Sequence, residues 1–291
     1  MRKTFKLIAA MLVLSLILVG CGSGGNNQTP GQQNGENADS GTGSAETVKW
    51  IVNSSYPDTN HIGETLLAFS EKVKEKTDGK VEIEVMANGA LGYAGPELLK
   101  VVRDNMVPMS DIMLSMVAGD EPLFGISTLP FLYRDYEGYK LLNDIARPYF
   151  DQVVEEKWNQ KLLYLAPWPI SGFWTQNELN TIEDVKGLKM RTFDEMGALV
   201  VEAVGGTPYP LPFGEVYSAL ATGVIDSVLT STPTAVDAKF WEVLKYYSPV
   251  NVFAGINGVT VNLDAFNKLD GETQEAIIEA ARGVERVIWA G

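Results

Sequence analysis

Histidine and cysteine are nearly absent from this 291-residue sequence, which contains one of each. A zinc cluster built from His and Cys ligands and an intramolecular disulfide are therefore both excluded. A Ser-His-Asp triad would have to use His61, which follows Asn60 near a predicted helix start. We prefer helix capping or solvent exposure as the role of His61. Asp and Glu are plentiful, but no motif gathers them into a catalytic pair, and no cofactor is predicted.

Positive charge is also scarce. The chain has 23 Lys and Arg against 37 Asp and Glu, which gives a formal net charge of −14. Nucleic acid is therefore not expected as a partner, because its phosphates need a basic surface. An internal repeat, a phosphate-binding glycine loop and a long heptad run are all missing. Hydrophobic residues make up 45% of the chain, enough for a substantial core.

The first 20 residues have the pattern of a secretory signal. Three basic residues precede an apolar run from Leu7 to Val19, which is short for a membrane span. The run ends in Leu18-Val19-Gly20-Cys21, which resembles a bacterial lipobox and implies cleavage before Cys21 and lipidation of its thiol. An uncleaved anchor helix with an incidental cysteine is the alternative. In both cases the rest of the chain lies outside the cytoplasmic membrane.

Residues 21–46 are predicted to form a flexible tether. They are rich in Gly, Asn, Gln and Ser and contain almost no apolar side chains, so they cannot build a core. A chain of about 25 such residues reaches roughly 25–30 Å. The folded body could therefore move over a membrane to which Cys21 anchors it.

From Val48 onward, apolar strands alternate with amphipathic helices, which predicts an α/β fold with a parallel sheet. A helix is expected over Asn60–Thr77, with apolar residues facing inward, and Asp135–Trp158 should form two more. The strands predicted from apolar runs are Val48–Val52, Val81–Met86, Asp111–Ser115, Leu162–Leu165, Tyr246–Ala254 and Gly258–Asn262.

The stretch 187–226 is predicted to be a strand-helix-helix-strand unit. Its first strand ends at Arg191, its two helices start after Asp194 and at Phe213, and its last strand starts at Val224. The inward face of the first helix should carry Leu199, Val200 and Ala203. Ligands of open α/β sheets bind outside the carboxyl ends of the strands, where Arg191 is expected to lie.

These elements are assigned to two domains. Domain I covers residues 47–168 and domain II covers 169–255, after a crossover near Trp168. Residues 256–291 return to domain I and begin a long helix that spans the hinge. Because this helix runs from Gly271 to the last residue without a stop signal, we expect further helices in the complete protein.

Five segments together resemble the solute-binding subunit of TRAP (tripartite ATP-independent periplasmic) transporters, of the DctP type. The resemblance runs from about Val48 to the end of the chain. It rests on Thr77–Ile83, Ala90–Gly92, Leu129–Asp135, Gly187–Arg191 and Phe213–Asp226. It implies a periplasmic-binding-protein-like fold of two α/β domains with crossovers and a hinge. It also implies one ligand in the cleft and delivery to a membrane permease driven by an ion gradient.

The resemblance assigns three residues of this sequence to the ligand site. Most ligands of the family are organic acids, held by the arginine of the Gly-Leu-Lys-Met-Arg motif, which here is Arg191. A planar guanidinium suits bidentate binding of a carboxylate. Asn53 matches a polar contact, and Phe213 matches an aromatic residue that packs on the ligand.

Three other positions depart from relatives that bind sialic acid. Ser171 stands about where those relatives carry a second arginine. Met116 stands near the position of their acidic residue, and Thr230 near the position of their asparagine. A highly hydroxylated sugar acid is therefore not the expected ligand. Trp168 and Trp174 are predicted to line the cleft. For Phe173, a place in the cleft and an ordinary role in the core or hinge explain the sequence equally well.

The sequence thus predicts a lipid-anchored binding protein for a small monocarboxylate with a compact apolar or aromatic body. Its partners would be that acid, the TRAP permease and the membrane. An ABC-type solute-binding lipoprotein, a secreted lipoprotein enzyme and a ligand-sensing partner of a receptor are the alternatives.

Overall fold

The computed structural model describes residues 47–290. The predicted signal sequence, Cys21 and the predicted tether lie outside the described residues. The strands are β1 Val48–Asn53, β2 Val81–Met86, β3 Met109–Met113, β4 Gln160–Pro167, β5 Gly172–Thr175, β6 Lys189–Thr192, β7 Thr207–Pro210, β8 Ser227–Thr230, β9 Tyr246–Ser248 and β10 Ile256–Asn262. The α-helices are α1 His61–Lys76, α2 Leu98–Arg103, α3 Tyr136–Trp158, α4 Glu195–Ala203, α5 Val216–Ala221, α6 Thr232–Asp237, α7 Leu263–Asn267 and α8 Gly271–Ala290.

The first sheet has the strand order β2-β1-β3-β10-β4. Strands β1, β2 and β3 are parallel, as the alternation of strands and helices predicts, whereas β10 is antiparallel to both β3 and β4. The sheet is therefore mixed rather than wholly parallel. Helices α1 and α8 pack against it, and their apolar faces share one core cluster with its strands.

The second sheet has the order β7-β6-β8-β5-β9. Its β6 is parallel to β7 and β8, while β5 is antiparallel to β8 and β9. The chain passes from the first sheet to the second between β4 and β5 and returns between β9 and β10. Two sheets covered by helices confirm the predicted α/β fold class. The domain limits themselves remain a prediction.

Local chemistry explains where helices α1 and α4 begin. The side chain of Asn60 accepts a hydrogen bond from the backbone N–H of Ile62, and that of Asp194 accepts one from Gly197, each 2.8 Å long. Such caps satisfy N–H groups that the first helical turn leaves free. Gly205 follows α4 with φ +89°, a left-handed conformation that favours glycine.

One strand escaped the sequence analysis. Strand β7 lies between the two predicted helices of the 187–226 stretch and contains Pro208 and Pro210. Prolines cannot donate to a ladder and argue against a central strand, but β7 is an edge strand with β6 as its only partner. The last strand of this stretch starts at Ser227, slightly later than predicted.

Two helix predictions need correction. Asp135–Trp158 contains one helix, α3, which continues through Pro148, where two helices were predicted. In α4 the buried residues are Gly197 and Val201, whereas Leu199 is 50% exposed and Ala203 is exposed. Val200 is half-buried and packs against a core cluster, as predicted, but the prediction was wrong for Leu199 and Ala203. The reason is that a glycine, which has no hydrophobic side chain to reveal the pattern, lies against the sheet. Within residues 47–290 no helix is both long and apolar enough to cross a membrane.

Candidate ligand-binding site

A cavity with about 670 Å³ of empty space, part of it continuous with solvent, is lined by residues of both sheets. The first sheet contributes Asp111 of β3 and Tyr56, which follows β1. The second contributes Arg191 of β6 and Thr230 of β8. The cavity therefore joins residues that lie far apart in sequence.

Arg191 is the buried cation of this cavity. Its side chain is only 3% exposed, and its Nε donates a hydrogen bond of 3.0 Å to the carbonyl oxygen of Leu211. Its guanidinium carbon lies 5.7 Å from the centre of the Phe193 ring. No carboxylate of residues 47–290 lies within ion-pair distance of it. Burial lowers the pKa of Arg191 to about 10, so it remains charged at neutral pH.

Asp111 is the buried carboxyl group of the same cavity, and the residue is 2% exposed. Its Oδ2 accepts a hydrogen bond of 3.1 Å from Nδ2 of Asn257, whereas its Oδ1 has no hydrogen-bond partner among the described residues. Burial raises the pKa of Asp111 to about 7. Asn257, the Ser54 side chain and the backbone N–H groups of Asp111 and Ser55 face the carboxyl group and oppose this shift.

Asn257 cannot turn its amide freely, because Trp168 fixes it. The Nε1 of Trp168 donates a hydrogen bond of 2.8 Å to Oδ1 of Asn257, which leaves the amide N–H group of Asn257 for Asp111. This chain of contacts holds one face of the Asp111 carboxylate in place. The indole ring of Trp168 also lines the cavity.

Aromatic rings form the apolar part of the wall. The Tyr56 ring centre lies 4.9 Å from that of Trp168 and 5.6 Å from that of Phe213. Burial and the Asp111 carboxylate raise the pKa of Tyr56, and Arg191 opposes them, so the phenol lies close to both charged groups and stays neutral. A flat apolar ligand body could pack against these rings.

Six of the eight residues predicted to bind ligand line this cavity: Arg191, Phe213, Trp168, Ser171, Thr230 and Met116. The other two, Asn53 and Trp174, do not line it. The side chain of Asn53 is buried in the first sheet, where it donates to the Tyr93 carbonyl and to Ser110 Oγ at 3.3 Å each. The ring of Trp174 packs 4.5 Å from that of Tyr247.

Phe173, for which two roles were considered, is buried in a core cluster of the second sheet. His61 is neither the cap of its helix nor freely exposed. Its ring is half-buried and meets the Trp168 ring edge-on at 4.5 Å, and burial lowers its pKa. Within residues 47–290 no cluster of three or more His, Cys, Asp or Glu residues could hold a metal ion.

Asp111 and Tyr56 were missed by the sequence analysis. Asp111 is the only carboxylate in an otherwise uncharged strand that is buried along its whole length. A carboxylate in a buried strand is rare and is a signal for a functional site. Tyr56 offered no such signal, because it follows the strand in a loop.

Comparison with known proteins places the chain among bacterial receptors. The sequence model of bacterial extracellular solute-binding protein family 7, DctP, matches residues 52–290. The 2,3-diketo-L-gulonate-binding periplasmic protein YiaO of Escherichia coli is 28% identical over 82% of this chain and 72% of its own length.

Solved structures match over similar lengths. DctP6 of Bordetella pertussis, an extracytoplasmic solute receptor that binds pyroglutamic acid, is 31% identical with a TM-score of 0.80 over 84% of this chain and 80% of its own. A TRAP periplasmic solute-binding protein of Chromohalobacter salexigens with bound D-glucuronate is 25% identical with a TM-score of 0.77, over 83% of this chain and 81% of its own. The chain therefore belongs to family 7 of the bacterial extracellular solute-binding proteins, the DctP family of TRAP solute receptors.

Proposed function

We propose that this receptor captures a compact monocarboxylate in the cavity between its sheets, with Arg191 binding the carboxylate, and delivers it to a TRAP membrane permease. One observation carries the proposal: Arg191 is a buried cation without an ion-pair partner among the described residues. A buried charge without a partner is costly, so an anionic ligand is favoured there. A bidentate pair with a carboxylate would satisfy the fork of the guanidinium.

The ligand body is proposed to be small and largely apolar or aromatic. Tyr56, Trp168 and Phe213 supply flat surfaces, while Ser171 and Thr230 supply small polar groups. Among the relatives, DctP6 binds pyroglutamic acid, a compact monocarboxylate, and the Chromohalobacter protein binds a sugar acid. The two classes are the alternatives that a ligand screen separates.

A thermal-shift screen with pyroglutamate, benzoate, branched-chain 2-oxo acids, short dicarboxylates and glucuronate tests the ligand class. Ligand at about 100 times its dissociation constant stabilises the folded state by roughly 2.7 kcal/mol, which raises the melting temperature visibly. A compact monocarboxylate should give the largest rise. A rise with glucuronate alone would refute the compact body but leave the role of Arg191 standing.

Replacing Arg191 tests the carboxylate contact. Losing one partner of a buried charged pair typically costs about 2–5 kcal/mol, so Arg191→Ala should weaken binding by about 30-fold or more. Arg191→Lys should also weaken it, because an ammonium cannot form the two parallel bonds. Calorimetric titration of the acid found in the screen measures both.

Arg282→Ala is the matched control. Arg282 lies on α8 with a side chain 65% exposed, and its carboxylate partner is the equally exposed Glu275. Its loss should leave the dissociation constant unchanged. Undiminished binding by Arg191→Ala would refute the proposed carboxylate contact.

We also propose that Cys21 carries lipid and ties the receptor to the outer face of the cell membrane. The basic and apolar signal pattern and the sequence Leu18–Cys21 support this. Stable anchoring needs two lipid signals, which a diacylated cysteine would supply. Cys21→Ser should leave the precursor unprocessed or release the body into the medium, as cell fractionation and immunoblotting would reveal. Intact-mass measurement of the wild type showing no lipid would refute the proposal.

Finally, the protein is proposed to bind its ligand without converting it. The relatives named above are receptors, and the described residues present no nucleophile paired with a base in the cavity. Prolonged incubation of the acid with a stoichiometric amount of protein should leave the ligand's NMR spectrum unchanged. New resonances that persist after repurification and disappear in Arg191→Ala would instead reveal an enzyme.

A further inference from the structure

A hydrogen bond outside the cavity joins the two halves of the receptor, each of which is built on one sheet. Asn60, at the start of α1, donates from its Nδ2 to the Oδ2 of Asp237, at the end of α6, 177 positions later in the chain. The apolar face of α1 packs on the first sheet, whereas Ala235 of α6 packs with strand β8 of the second. Neither Asn60 nor Asp237 lines the cavity. The contact therefore connects the two halves without touching a ligand held between them.

The cap of α1 leaves Asn60 one group for this contact. Its Oδ1 accepts a hydrogen bond of 2.8 Å from the backbone N–H of Ile62, so the amide is turned with its Nδ2 away from the helix. Asn60 is only 2% exposed and Asp237 is half-buried, so water competes weakly for the hydrogen bond. A hydrogen bond to a charged acceptor is stronger than one between neutral groups. Asn60 is thus held in place to bind a carboxylate of the opposite half.

The neighbours of these two residues lie at the cavity. His61, next to Asn60, meets the ring of Trp168 edge-on, with 4.5 Å between the ring centres, and Trp168 lines the cavity. On α6, Thr234 lines the cavity and stands one turn before Asp237 on the same face, since residues three apart are neighbours on a helix. A movement that separates Asn60 from Asp237 therefore also moves two walls of the cavity apart.

We infer that Asn60 and Asp237 form a latch that stabilises the arrangement in which the two sheets approach, whether or not an acid occupies the cavity. Because acids are proposed to bind between the sheets, the latch acts on their affinity only through this arrangement, and to that extent it rests on the proposed function. The apparent affinity falls in proportion to the population of the binding-competent state. Loss of the latch should therefore weaken the binding of every acid by the same factor, whereas loss of a group that contacts the ligand would not.

Exchanging the donor and the acceptor tests the latch. Aspartate is also a good helix cap, so Asn60→Asp keeps the start of α1 but sets a carboxylate against Asp237. In the double variant Asn60→Asp/Asp237→Asn, the new amide at position 237 can donate to the new carboxylate at position 60, and the net charge equals that of the wild type. Asn177→Asp, at an exposed position that follows β5, controls for the added charge.

Calorimetric titration with pyroglutamate, benzoate and glucuronate measures the effect. Each acid that binds the wild type should bind Asn60→Asp about tenfold more weakly, because a hydrogen bond to a charged group is lost and repulsion between two carboxylates replaces it. The double variant should recover most of the affinity, which also shows that it is folded. Asn177→Asp should bind each acid as the wild type does.

Unchanged binding by Asn60→Asp, no recovery in the double variant, or a factor that differs from acid to acid would refute the latch while leaving Arg191 as the carboxylate contact. If no acid binds in an Arg191-dependent manner, the proposed function fails, and small-angle X-ray scattering without any acid judges the latch by itself. The radius of gyration of Asn60→Asp should then exceed that of the wild type at an unchanged circular dichroism spectrum, and the double variant should return to the wild-type value. Equal radii would refute the latch.

Discussion

At the scale of single residues, Asp111 should make the stability of the ligand-free protein depend on pH. Its pKa is raised by burial to about 7, against 3.8 for the free side chain. Between these values the folded protein binds a proton that the unfolded chain does not, so Asp111 causes the free energy of unfolding to fall as pH rises from about 4 to 7. A shift of about three units corresponds to roughly 4 kcal/mol, an order-of-magnitude figure.

Urea denaturation of the wild type and of Asp111→Asn at pH 4.5 and 7.5 measures this effect. The stability of the variant relative to the wild type should rise between pH 4.5 and pH 7.5, because only the wild type loses the contribution of a protonated Asp111. Tyr56 and Tyr164, whose pKa values are raised by burial, and Arg191 do not titrate in this window. Other groups, including His61, are shared by both proteins and cancel. Parallel pH profiles would show that Asp111 is not the source.

The sequence predicted Arg191 but not Asp111 or Tyr56, for a physical reason. Arg191 stands at the end of a motif and of a strand, which are both local features. The importance of Asp111 arises from Asn257, 146 positions away, and from a cavity wall contributed by the other sheet. Asn53 and Trp174 were predicted from local features to bind ligand, but they do not line the cavity. Each lies near the end of a strand, and its side chain contacts a residue of its own sheet, Ser110 for Asn53 and Tyr247 for Trp174.

At the scale of elements, the start of α1 is packed against the loop that carries Tyr56. A Cβ atom on Gly63 would lie 2.2 Å from the carbonyl oxygen of Pro57 and 2.7 Å from the Cα of Asp58. Both are backbone atoms, so relief of the clash requires the loop to move. The glycine therefore allows the loop to lie close enough to place Tyr56 at the cavity.

Gly63→Ala and Gly283→Ala form a matched pair of helix substitutions. An alanine is favoured over glycine within a helix by about 1 kcal/mol. At Gly283 of α8 a new Cβ meets no atom within 4 Å, so this variant should be stabilised by about 0.5–1 kcal/mol. At Gly63 overpacking should destabilise by about 1–3 kcal/mol and also weaken ligand binding. Urea denaturation and calorimetric titration measure both, and equal stabilisation of the two variants would contradict the close packing.

The elements that the sequence predicted well are those with long apolar patterns. Helix α1 has four buried apolar residues on one face, and β1 to β3 alternate with helices as expected. Strand β7 and the face of α4 were missed, because prolines and a glycine occupy the positions where the pattern would have appeared. Strand β7 pairs with β6, and Gly197 of α4 lies against Thr192 of β6 and Leu229 of β8. These tertiary contacts decide both structures, and local sequence does not reveal them.

At the scale of the whole molecule, ligand binding should bring the two sheets into a more compact arrangement. Arg191 belongs to the second sheet and Tyr56 follows a strand of the first, so a ligand that contacts both binds better when the two sheets approach. A ligand that prefers the closed form shifts an existing equilibrium by its differential affinity. Small-angle X-ray scattering should show a smaller radius of gyration at saturation. An identical profile would refute closure, and Arg191→Ala at the same ligand concentration provides the control.

Strand β10 has a consequence for the order in which the chain can fold. It lies between β3 and β4, and β4 has no other partner in the sheet. When the ribosome has made residues 1–167, β4 still lacks its only neighbour, which is synthesised about ninety residues later. Such long-range pairing folds slowly, because the intervening loop must first be closed. The first sheet of this extracytoplasmic receptor can therefore close only after residues 256–262, which form β10, have been synthesised.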